Sequence, residues 1–167
     1  MIKNWSNTLI VAYSHLPKIV NSIDLRVENC VNSGFKSVHL LNGITNEQLY
    51  EKMVKLIGEK QKMVNLYHIV NEGLDAIPDS HRLLIELHCF KGKTFGEISS
   101  VHGVPLRTLF RRFDDALLRF KNAITKMGFD EEYLEGDYRP YSYMRKFYNA
   151  LDTENYLPSY QKTEYMD

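Results

Sequence analysis

Apolar side chains recur along this chain in steps of three and four, and that rhythm constrains the fold more than any other feature. Leu9, Tyr13, Leu16, Val20, Ile23, Val27 and then Cys30 or Val31 fall on one line. An α-helix turning every 3.6 residues brings such positions to one face, whereas a strand would gather alternate residues. Pro17 interrupts the line. It has no N–H to donate and its ring crowds the preceding turn, so the helix either kinks there or starts afresh with Pro17 in its first turn. Asn32-Ser33-Gly34-Phe35 ends it.

A second line follows: Leu49, Met53, Leu56, Met63, Tyr67, Val70 and Leu74, with Lys60 breaking it. Thr45 precedes it with Gln48 three residues on, the spacing of a capping box. A helix of about thirty residues, on the order of 45 Å long, is predicted. Two long helices joined by a polar loop predict an antiparallel hairpin over residues 1–73. The two stripes suit closure within one chain and a four-helix homodimer equally well.

Residues 74–127 are predicted to form a third unit of shorter helices. The Ile77-Pro78 break and a cap at Asp79 or Ser80 start a helix with the apolar face Leu83, Leu84, Leu87 and Phe90, ended by Gly92. Thr94 and Glu97 form a second capping box before a short helix with Phe95, Ile98 and Val101 as its apolar positions. Gly103 then breaks the chain, Val104 turns into the core, and Pro105 opens a last helix that buries Leu109, Phe113, Ala116, Leu117 and Phe120. Gly103 tolerates the positive backbone angle of a tight turn, and small Ser99 lets the two helices approach.

The charge of the chain is zero overall and uneven along it. Residues 1–90 carry nine basic and nine acidic side chains. Residues 91–127 carry eight basic (Lys91, Lys93, Arg107, Arg111, Arg112, Arg119, Lys121 and Lys126) against three acidic, a net of plus five. Residues 128–167 carry four basic and nine acidic, a net of minus five, with eight of the eleven tyrosines. A cationic stretch next to a helix-turn-helix is the pattern of a nucleic-acid footprint.

Leu74, Ile77-Pro78, Arg82, Leu87, Phe90, Gly92, Thr94-Phe95, Glu97-Ile98, Gly103-Val104, Thr108-Leu109, Arg112-Phe113 and Ala116 together resemble region 4 of bacterial sigma factors, the extracytoplasmic-function group above all. The resemblance spans about residues 70–125. It implies a helix-turn-helix whose second helix, about 105–120, enters the major groove of double-stranded promoter DNA, with RNA polymerase as a further partner. Arg107, Thr108 and Arg111 then face base edges, and Arg112 grips a phosphate. Lys91, Lys93, Thr94 and Arg119 are further phosphate candidates. The pattern departs from the family at Pro105, where a serine is usual, at Leu106 and Phe110, which add apolar surface, and at His102. No segment resembles region 2, so the chain reads as a region 4-like module joined to something else. Two other readings stay open: a protein-interaction module that contacts RNA polymerase, and a binder of structured RNA.

The expected fold is therefore all-α: a hairpin, a region 4-like unit, and an acidic tyrosine-rich tail over 128–167 in which Ser142–Leu151 suggests one more short helix and the final dozen residues look flexible. No HExxH, CxxC, GxSxG or phosphate loop occurs, and no enzyme, cofactor or metal is expected. Cys30 and Cys89 sit on apolar helical faces and are expected as buried reduced thiols. The apolar run near the N-terminus is short and broken by Tyr13, Ser14 and His15, so a cytoplasmic protein without a membrane span is expected.

Overall fold

The computed structural model of this chain describes residues 1–35, 43 and 45–151. Those residues are helical throughout, with no strand among them. In chain order the helices are α1 (Trp5–Tyr13), α2 (Leu16–Phe35), α3 (Asn46–Asp75), α4 (Asp79–Ile85) running into a π-helical turn (Glu86–Phe90), α5 (Phe95–His102), α6 (Leu106–Lys126), α7 (Glu131–Tyr138) and α8 (Ser142–Ala150). They divide into two compact units: residues 15–67, and residues 1–14 together with those from 68 onward.

In the first unit α2 and the greater part of α3 form the predicted antiparallel hairpin. The direction follows from two ion pairs, Asp24–Lys60 at 2.7 Å and Arg26–Glu59 at 3.6 Å, since advancing along α2 means retreating along α3. Leu16, Ile23 and Cys30 are buried on one helix and Leu49, Leu56 and Met63 on the other. Both sets repeat every seven residues, the spacing that keeps a seam facing its partner as two helices coil. Tyr67, expected in this stripe, is exposed, and Leu66 is buried instead. Thr45 caps α3 as predicted: its hydroxyl accepts from the Gln48 amide at 3.2 Å, and its own amide donates to Gln48 Oε1 at 2.9 Å.

The hairpin does not extend over residues 1–73. Helix formation stops after Tyr13 and resumes at Leu16, with Pro17 the second residue of α2. The break is the one Pro17 imposes, since a helix continuing through it would lose a hydrogen bond and clash with the turn before. The separated α1 belongs to the other unit, where it packs against α6, α7, α8 and the π-helical turn. Every residue from Trp5 to Ala12 is buried. A helix covered on all sides is the centre of a core, and the three polar side chains it carries inward are each bonded. Ser6 Oγ donates to Glu131 at 2.5 Å, Asn7 Nδ2 to the Ile2 carbonyl at 2.8 Å, and Thr8 Oγ1 to the Asn4 carbonyl at 2.7 Å.

The acidic segment expected as a tail from residue 128 is folded as far as Leu151. Asp130 caps α7 by accepting from the Tyr133 amide at 2.8 Å, and α7 and α8 bury Leu134, Tyr138 and Met144 against α1. Trp5 stacks on Tyr148 at 4.6 Å between ring centroids, with Lys3 Nζ 5.0 Å above the same ring. The short helix foreseen at Ser142–Leu151 is α8; the final dozen residues lie outside the described part. The last turns of α3 lie on α6, where Gly73 leaves no room for a larger side chain. A Cβ there would stand 2.6 Å from both Ile124 Cγ2 and Phe120 Cε2.

Candidate nucleic-acid interface

The chain reaches the proposed reading helix through a sequence of local stops. Pro78 precedes α4 with no side-chain cap, so neither Asp79 nor Ser80 plays the capping role expected of it; Asp79 is the first helical residue. Leu84 and Ile85 are buried while Leu83, expected on the apolar face, is exposed. The π-helical turn accounts for this. The Lys91 amide donates to the Glu86 carbonyl five residues back, at 2.9 Å, which inserts one extra residue and rotates the face the sequence periodicity assigns.

The Lys91–Thr94 linker is tied down from beneath. His88 Nδ1 donates to the Lys93 carbonyl at 2.9 Å, and its ring stacks on Phe95 at 4.1 Å and meets Phe113 edge-on at 5.1 Å. Burial lowers the His88 pKa, with the Lys93 carbonyl opposing, so the imidazole is held neutral more firmly than in water. Phe95 also touches Phe110 at 4.7 Å and Phe113 at 5.3 Å. This aromatic wedge sets the angle between α5 and α6. Phe110, expected as added surface, is buried in it, while Leu106 stays 45% exposed.

Thr94 caps α5 with both halves of the capping box: its hydroxyl accepts from the Glu97 amide at 3.2 Å, and its amide donates to Glu97 Oε2 at 2.7 Å. Those bonds, with Lys93 3.6 Å away, hold the Glu97 carboxyl below the usual range. Gly103 ends α5 at a φ of 64°, in the left-handed region that favours glycine. Ser99 Oγ donates to the Val104 carbonyl at 2.8 Å and clamps the turn shut. Pro105 then starts α6, its carbonyl accepting from Thr108 at 2.9 Å and Leu109 at 3.1 Å. Helix, glycine turn and helix stand where the sequence placed them. Val101, expected as an apolar packing position of α5, is instead 78% exposed.

α6 turns Leu109, Phe110, Phe113, Ala116, Leu117, Phe120 and Ile124 inward. At about 100° per residue the opposite side is led by Arg107 and Arg111, roughly 40° apart, with Thr108 beside them and Arg112 on the flank at about 140° from Arg107. Arg107, Arg111 and Arg112 are exposed and, among the described residues, form no ion pair; Thr108 is half-buried. Lys91 is likewise exposed and unpaired.

The remaining candidates are engaged. Lys93 pairs with Glu97. The Thr94 hydroxyl is spent on its cap, donating to Glu97 at 3.0 Å as well as accepting. Arg119 Nε donates to Asp115 at 2.7 Å, and His81 Nε2 meets the same oxygen at 2.9 Å. The Arg119 bond, followed by the one to His81, holds Asp115 below its ordinary pKa. The arginines thus sort into three that are free and one, Arg119, that pairs along α6 with the carboxylate that His81 of α4 also meets. The Arg119–Asp115 pair has the i, i+4 spacing a sequence shows; the contact hidden from it is that of His81, which is 34 residues from Asp115.

No group of His, Cys, Asp and Glu among the described residues is arranged to hold a metal ion, and no helix among them is long and apolar enough to cross a membrane. Compared with protein-family models, with curated proteins and with solved structures, the chain matches none.

Proposed function

We propose that this chain is a sigma region 4-like transcription regulator that binds duplex DNA by laying the first turns of α6 in the major groove. One observation carries the reading: Arg107, Arg111 and Arg112 stand outward and unpaired at the start of a helix that a glycine turn and an aromatic wedge hold at a fixed angle. An α-helix fits the major groove, and an arginine fork there is bidentate to guanine. Arg107 and Arg111, with Thr108, are the base-reading residues. Arg112 and Lys91 are the phosphate contacts; Lys93, Thr94 and Arg119 contribute less, since each must first leave a bond within the protein.

The test is fluorescence anisotropy of the full chain on duplexes, first random and then those recovered by sequencing bound DNA. Affinity of wild type is expected to fall steeply with salt. Arg112→Ala weakens binding to all duplexes and flattens the log–log salt slope by about 0.9, the release of one phosphate contact. Arg107→Ala and Arg111→Ala instead cost discrimination, about 1–3 kcal/mol for each guanine no longer read. Salt-insensitive binding, or variants that match wild type on every duplex, refute the reading.

A second reading has its own observation. Leu106 and Val101 are exposed large apolar groups, and Leu87, Ile98, Val101 and His102 line an open groove of about 410 Å³ on α5. Such a surface suits a protein contact, RNA polymerase being the partner the family resemblance suggests. Binding that tolerates salt and is lost on Val101→Asp favours it over DNA. Preference for folded RNA over duplex DNA in the same titrations favours the structured-RNA alternative.

A further inference from the structure

A cleft of about 390 Å³ lies between the link from α3 to α4 and the last turns of α6. Ile77 and Pro78 stand on one side of it, and Arg119, Asn122, Lys126 and Met127 on the other. Among the described residues no acidic side chain lines it. Three hydrogen-bond donors do, and they come from one helix at spacings of three and four, within an arc of about 60°. Asn122 and Lys126 are exposed and make no hydrogen bond or ion pair among the described residues. Arg119 is bonded to Asp115 through Nε alone, so its two terminal nitrogens are unspent.

We propose that this cleft binds a phosphate group, free or as a small monoester. Such a group carries nearly two negative charges at neutral pH and accepts hydrogen bonds through three or more oxygens. Arg119 and Lys126 bring two positive charges, and the Asn122 amide brings two further N–H donors. Arg119 stands about 4.5 Å of helix rise before Asn122 and Lys126 about 6 Å after it. The two long side chains close those distances, so an anion seated over Asn122 meets all three. Asp115 offsets part of the charge of Arg119 from outside the lining, which keeps the affinity modest. Ile77, Pro78 and Met127 set apolar surface against the donors, which keeps water from one side of the anion. The cleft is of the size that holds small organic ligands, and the same apolar surface receives the organic part of an ester.

Proton–nitrogen NMR of the full chain, titrated with sodium phosphate in the absence of nucleic acid, tests this independently of the DNA-binding reading. Saturable shifts are expected at the Asn122 side-chain amide, at Arg119 Nε and at the backbone of 122–127, with a Kd of about 1 mM. Sodium chloride at matched ionic strength should not reproduce them. Lys126→Ala weakens phosphate binding about tenfold, and Lys126→Arg restores most of it. Circular dichroism checks that both variants keep their helices, which an exposed position permits. Adenosine monophosphate separates the two forms of the ligand. Binding at least tenfold tighter than phosphate, with a shift of the Met127 methyl, marks a site for monoesters; equal or weaker binding marks one for free phosphate. Shifts that chloride reproduces, the absence of saturable shifts in the cleft, or a Lys126→Ala variant that binds phosphate as wild type does overturns the proposal.

Discussion

Glu131 is a single carboxylate on which the start of α1 hangs, and removing it tests how the second unit is assembled. The first amides of any helix have no partner within it. In α1, Asn4 Oδ1 accepts from Asn7 at 2.7 Å, but the Trp5 and Ser6 amides donate across 125 or more residues to Glu131, at 2.7 and 3.3 Å, with the Ser6 hydroxyl adding a third bond at 2.5 Å. Trp5 is 3% exposed, so water cannot replace the lost acceptor. Glu131→Ala strands that amide at about 1–3 kcal/mol and removes a negative charge from a helix N-terminus, about 0.3–1 kcal/mol. The Lys121 contact at 3.6 Å is a surface pair and adds little. A loss of about 3 kcal/mol is expected, which for a chain of this size lowers Tm by roughly 6–12 °C. Glu131→Gln keeps an acceptor and loses the charge, so about half of that is expected.

The same geometry fixes the pH dependence. Burial raises the Glu131 pKa, but the bonds from Ser6 and Trp5 together outweigh it, and the carboxyl lies below its ordinary 4.5. A group whose folded pKa is depressed contributes its stability in full above the unfolded value and loses it as pH falls through the folded one. The gap between wild type and Glu131→Gln in urea unfolding is therefore constant near neutrality and closes in acid as pH falls below 4.5. A gap that is absent at neutral pH, or that persists unchanged in strong acid, refutes the assignment of the charge as the cap of α1.

Two further perturbations probe the packing beneath α6. Gly73→Ala gains about 1 kcal/mol of helix propensity but drives a methyl to 2.6 Å from Phe120 and Ile124, both fully buried. Overpacking at about 1–3 kcal/mol wins, and a lower urea midpoint with unchanged slope is expected; a stabilised variant would mean that α3 and α6 separate freely. His88 has a lowered pKa, from burial and, secondarily, the amino group of Met1 against the opposing Lys93 carbonyl. By the same linkage its stabilising contribution is complete above pH 6.5 and lost below it, and His88→Leu should flatten that part of the stability–pH curve, read from urea midpoints at a series of pH values. A parallel pair of curves would show that the imidazole is not what titrates.

The periodicities that sequence reading uses well are those a single helix and one partner decide. The seven-residue repeat Leu16-Ile23-Cys30 against Leu49-Leu56-Met63 was legible because one seam buries both stripes, and the turn at Gly103 was legible because its backbone angle all but names the residue. Reading failed where long-range contacts decide. Pro17 marks a break, but Leu9 and Tyr13 continue the stripe of α2, so nothing local sends α1 to the centre of the other unit. The tyrosines and acids after residue 128 leave a tail and a C-terminal helix packed on the core both open, because a charged segment with one buried side chain per turn resembles solvated chain, until Leu134, Tyr138 and Met144 find α1. The arginines show both limits together. Their density marked the helix and the i, i+4 spacing of Asp115 and Arg119 marked one pair, but that His81 shares the same carboxylate is decided by the fold. Since only a free guanidinium can exchange its solvent for a phosphate or a base without first breaking a bond in the protein, that sorting decides which of the charges the proposed DNA contact can use.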